Sequence, residues 1–89
     1  MAKNSIGLIE LTSIAAGYLA CDAMLKAANV DVVLSRSICS GKYMVMVRGD
    51  VAAVESAVDA AAQVVGQKGM LVNKVVIPHP RPELLNEMI

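Results

Sequence analysis

Eighty-nine residues carry eight basic and eight acidic side chains, with two tyrosines as the whole aromatic complement, so the chain offers neither the positive field nor the stacking platform of a nucleic-acid binder. Apolar residues make up 56% and charged ones only 18%, against a usual charged fraction of about 25%, and the mean hydropathy is +0.58. A single domain of this length hides only about 60 to 65% of the surface its unfolded chain exposes, so part of the apolar load must stay on the surface, where contiguous apolar patches mark interfaces.

An oligomer is therefore expected before any motif is read. Membrane insertion is not, because it needs about 18 to 20 uninterrupted apolar residues. The longest candidate, residues 14–25, is broken by Gly17 and Asp22. Met1-Ala2-Lys3-Asn4 leads into a strand pattern and not into a signal-peptide core, which predicts a soluble, cytoplasmic protein. Cys21 and Cys39 stand alone in a helical pattern and a loop, and a disulfide between them is disfavoured in that compartment.

Residues 5–11 alternate as a first strand. Thr12 or Ser13 supplies a hydroxyl cap for a helix over residues 14–29, apolar nearly all round, with Asp22 and Lys26 as a lone i,i+4 pair. A helix with so narrow a polar strip is enclosed by more than one neighbour. Residues 30–38 and 42–48 form two β-branched and Met-rich runs around Cys39-Ser40-Gly41, the pattern of an antiparallel hairpin. Tyr43, Val45 and Val47 are expected on one face, Met44, Met46 and Arg48 on the other. Gly49 ends the strand and Asp50 caps a helix over residues 51–65, with Glu55, Asp59 and Gln63 as its wet stripe and Val51, Val54, Val58, Ala61, Ala62 and Val65 as its dry one. Gly66 and Gly69 bracket the exit to a fourth strand over residues 70–77. Pro78, Pro80 and Pro82 stop that strand before a short terminal helix over residues 83–88.

The order is an α+β, ferredoxin-like split βαβ arrangement: an antiparallel four-stranded sheet with helices on one face, filling residues 1–89 as one domain. Fold alone does not give function. The hairpin tip is the place where a thiol, a hydroxyl and a glycine meet, and the chain has no acid/base pair, phosphate loop or complete nucleophilic set, so an enzyme is not expected. Cys21 reads as packing, and His79, between two prolines, as an exposed structural residue. Ser40 has no base beside it.

Three segments carry a resemblance: Gly7-Leu8-Ile9-Glu10, the run from Asp22 through Lys26 to Val30, and Val47-Arg48-Gly49-Asp50-Val51-Ala52-Ala53-Val54. Together they are similar, over residues 6–80, to the hexamer-forming shell proteins of bacterial microcompartments. The resemblance implies a structural tile in a microcompartment shell: a homohexamer packed laterally against other shell proteins, enclosing enzymes and passing small metabolites through a pore on its axis. It implies pore-lining Cys39, Ser40 and Gly41, and a rim contact at Lys26. In the family an arginine follows the Ile-Pro that ends strand four. Here Ile77-Pro78-His79-Pro80-Arg81 puts His79 in that place, so His79 or Arg81 completes the rim. A small regulatory ferredoxin-like binding domain would explain the fold without these segments.

The tip departs from the glycine-rich turns of many such tiles. Ser37-Ile38-Cys39-Ser40-Gly41-Lys42-Tyr43 resembles the Ile-Cys-Pro-Gly-Lys turn of the tandem-domain propanediol-utilisation shell protein. That similarity implies an alternative, a pore-centred [4Fe-4S] cluster held through Cys39 for electron transfer across the shell. Six thiols around an axis suffice in number for such a cluster, but a cubane has no six-fold axis, so only some could bind. A thiol-lined open pore is the other reading.

Overall fold

Alternation in the first strand pattern has a structural cause in the computed structural model, which describes residues 5–39, 41–81 and 83. β1 (Ser5–Leu11) is a central strand, antiparallel to β3 (Lys42–Gly49) on one side and to β4 (Leu71–Ile77) on the other. β2 (Asp31–Cys39) pairs with β3 as the hairpin, giving the strand order β2-β3-β1-β4. Both helices, α1 (Ile14–Ala27) and α2 (Val51–Gln67), lie on one face, α1 towards β2 and β3 and α2 over β1 and β4. This is the expected split βαβ topology. No helix among the described residues is long and apolar enough to cross a membrane.

Each helix begins where a side chain satisfies its free amides. Ser13 Oγ accepts from the Ala16 N–H at 3.1 Å, which settles the choice between Thr12 and Ser13. Asp50 Oδ1 accepts from the Ala53 N–H at 2.8 Å. α1 stops two residues earlier than its composition suggests, with the Ala28 N–H donating to the Met24 carbonyl. α2 runs two residues further, through Gly66, and the turn falls on Gly69 at φ +71°. Of the expected terminal helix only Glu83 falls among the described residues.

The core is the layer between helices and sheet. Ile9, Leu11, Tyr43, Val45 and Val47 meet Ala16, Ala20 and Met24 of α1 and Val54, Ala57, Val58, Ala61, Ala62 and Val65 of α2. Burying each of the larger aliphatic side chains contributes about 1.5 to 3 kcal/mol. Tyr43, Val45 and Val47 share the helix face as expected. Ala57 joins the dry stripe of α2, while Val51 is only half-buried.

Two glycines bring the layers together. A Cβ at Gly7 would lie 2.6 Å from Val58 Cγ2 and 2.7 Å from Val54 Cγ1, and one at Gly17 would clash with the Tyr43 ring at Cδ2 and Cε2. The Tyr43 hydroxyl then reaches Ser35 Oγ on β2 at 2.8 Å, and Tyr18 meets the Tyr43 ring edge-on at 6.3 Å. Gly17→Ala is expected to lower stability by about 1 to 3 kcal/mol through overpacking. Chemical denaturation measures it; an unchanged midpoint would mean that the Tyr43 ring has room to move.

Candidate functional site at the hairpin tip

Antiparallel pairing brings one end of the sheet together. Leu11, at the end of β1, lies beside Tyr43, and Cys39 lies beside Lys42 across the hairpin end. The segment that leaves β1 for α1 therefore passes close to the tip. Thr12, Ser13, Ile14 and Ala15 line a groove of about 440 Å³ with Ser37, Cys39, Gly41 and Lys42. Gly41 has φ +76° and open space around it, so the turn uses glycine for its backbone and not to admit a neighbour. Cys39 is exposed. Ser40, expected to line the pore, lies outside the described residues.

The expected rim residues lie towards the other end of the sheet. α1 starts beside the tip and rises about 1.5 Å per residue, so Lys26, its thirteenth residue, lies roughly 18 Å further along. There its ammonium pairs with Asp22 at 2.9 Å, with the two side chains 76% and 61% exposed. So open a pair contributes at most about 1 kcal/mol, which leaves Lys26 free to exchange partners. β4 ends with Ile77 beside Ile6, again away from the tip. His79 and Arg81 follow there and are exposed, His79 in the left-handed region at φ +50°. Cys39 and Gly41 thus sit at one end of the sheet, with Lys26 and the chain leading to His79 and Arg81 at the other.

The two thiols differ in kind. Burial within the α1 packing pushes the Cys21 thiol up from its ordinary value, with the Asp22 carboxylate adding to the effect. Cys39 is the single thiol at the tip, and among the described residues no three metal-ligating side chains come together. An iron–sulfur cluster needs several thiolates, so one chain by itself does not supply its ligand set.

Sequence reasoning identified the tip but not the groove beside it. Ser37 reaches Lys42 through the β2–β3 hairpin, but Thr12 and Ser13 follow the end of β1, and only the register of β1 against β3 brings them to the same groove.

Comparison with known proteins shows the family. The family model described as BMC domain matches residues 5–80. The chain belongs to the BMC-domain family. It is 46% identical over 83 residues to the bacterial microcompartment shell protein PduT of Citrobacter freundii, covering 93% of this chain and 44% of that protein. It is 44% identical over 81 residues to the shell protein EutM of Escherichia coli K12, covering 91% of this chain and 84% of the relative. A crystal structure of a microcompartment protein from Desulfitobacterium hafniense superimposes with a TM-score of 0.85 at 44% identity, over 96% of this chain and 46% of that one. The BMC-domain chain thus spans less than half of PduT and of the solved structure, and most of EutM.

Alkylation should separate the thiols. At mildly alkaline pH a limiting amount of iodoacetamide is expected to label Cys39 first, while Cys21 labels only as the pH rises further, because thiolate is the reacting form. Peptide mass spectrometry reads the order, and equal labelling at every pH would contradict the burial of Cys21.

Proposed function

We propose that this BMC-domain protein is a structural, non-catalytic tile of a bacterial microcompartment shell. In this reading six copies close into a ring with Cys39, Ser40 and Gly41 around a central pore. Lys26, with His79 or Arg81, meets other shell proteins at the outer rim. The tile encloses enzymes and lets small metabolites cross.

The observation that carries the reading is the opposite placement of the two residue sets on a flat domain with extents of 34 × 26 × 15 Å. One end then faces an axis and the other a neighbouring tile. The lateral surfaces support it. β2 and β4 each have one unpaired edge within the sheet, and both carry exposed aliphatic side chains, Val32 and Ile38 on β2, Val72 and Val75 on β4. On α1, Ile14, Tyr18 and Leu25 fall within about 40° of one another around the helix axis and are likewise exposed. Unpaired edges and uncovered apolar side chains on opposite flanks suit a head-to-tail contact, the kind that closes into rings. The relatives named as microcompartment shell proteins point to the same role.

Light scattering of the purified protein should give about six chains per particle, or larger sheets built from such particles. A persistent, well-folded monomer would overturn the reading. Lys26→Asp is expected to leave the hexamers intact and abolish sheets in electron micrographs, because only the rim gains a misplaced carboxylate. Unchanged sheets would move the rim contact to Arg81 or His79.

A further inference from the structure

His79 is the single histidine of the chain and, among the described residues, the single non-glycine residue with positive φ, at +50°. Few side chains adopt that region, though histidine and asparagine are among those that do. Pro78 and Pro80 flank it, and a proline fixes its own φ and restricts the residue before it. Pro80 is half-buried while His79 is exposed. The backbone thus holds the imidazole outward, just past the end of β4 at Ile77. The register places that segment beside acidic groups. Ile77 pairs with Ile6, and Ser5 lies opposite Gly49, so the chain leaves β4 at the end of the sheet where α2 begins. α2 lies over β1 and β4. Asp50, whose carboxylate caps the helix, and Glu55, in its second turn, are both exposed there. The other charges of the described residues near this end come in opposite pairs. Lys26 is bound to Asp22, Asp31 stands opposite Arg48 across β2 and β3, and Arg81 is followed by Glu83 on the segment of His79 itself. Asp59, a turn further along α2, faces Lys74 at 3.7 Å. With a neutral imidazole this end is therefore acidic, through Asp50 and Glu55.

Histidine is the side chain whose ordinary charge change falls between about pH 5 and 8, a range in which carboxylates stay ionised. Resting on the rim reading above, we propose that His79 makes the lateral contact between tiles respond to pH, its protonation supplying the cation that joins one acidic rim to the next. Two tiles of this chain that meet rim to rim present the same groups to each other. With the imidazole neutral, Asp50 and Glu55 of one rim face an equally acidic rim, and like charges across a contact weaken it. A proton taken up by each His79 puts a cation among them and turns part of that repulsion into attraction. The associated state then holds more protons than the separate tiles, so association strengthens as the pH falls. Because the groups are exposed, the effect shrinks as salt is raised.

The test is sheet formation by the purified protein between about pH 7.5 and about pH 5.5 at fixed low salt, read by light scattering and in electron micrographs. The expected result is several-fold more protein in sheets at the lower pH, with a smaller difference at high salt. His79→Asn, which tolerates the left-handed backbone and carries no charge, should hold sheet formation at its high-pH level throughout. His79→Arg, a permanent cation, should form sheets equally at both ends of the range. Wild-type sheets that do not vary with pH, or that decline on acidification, would overturn the inference. So would a pH response that survives in His79→Asn, or hexamers that form no sheets at any pH; each of these leaves the ring standing. Absence of hexamers across the whole range would overturn the tile reading, and the rim switch with it.

Discussion

Seating α1 on the sheet through Gly17 and Tyr43 is the contact on which the rest of the domain depends. The Tyr43 ring occupies the space where a side chain at position 17 would be, and its hydroxyl is bound to Ser35 on the outer strand. One aromatic residue thus ties helix, central strand and edge strand together within two residues of the hairpin tip. The segment of residues 12–15 is carried to its place beside the tip by the same contact, because it is the start of that helix. A close helix approach needs small residues along the contact, which is why Ala16, Gly17 and Ala20 face inward.

Much of the fold was legible because periodicity and turn chemistry agreed. β1, β3 and the faces of β3 follow from alternation, and the start of α2 follows from Asp50. The ends were less so. α1 stops at Ala27 although Ala28 and Asn29 favour helix or tolerate it, since the chain must turn to enter β2 as an edge strand. Gly66 reads as a breaker, yet Val65 behind it is fully buried and holds the helix to the core for two more residues. α1, expected from its narrow polar strip to be enclosed by more than one neighbour, leaves Ile14, Tyr18, Leu19 and Leu25 uncovered in the single chain.

The site was legible in part for a different reason. Cys39, Gly41 and Lys26 could be singled out because their segments resemble those of microcompartment shell proteins, and the resemblance implies their roles. That they occupy opposite ends of the sheet depends on which strands pair and in which direction, and this is not written in any one segment. The same holds for the distribution of charge. A formal charge of zero suggests no field, but antiparallel strands fold the acidic starts of β2 and α2 to one end and leave Lys42 and Arg36 at the other.

The domain is only 15 Å through its shortest dimension, a single sheet with one layer of helices. A wall built one such slab thick needs little protein for each unit of area it encloses. An opening through it narrower than the slab is deep would hold its resistance to flow inside the passage and not at the mouths. The rate at which solutes cross would then scale with the cross-section of the narrowest point and with how many openings tile a given area.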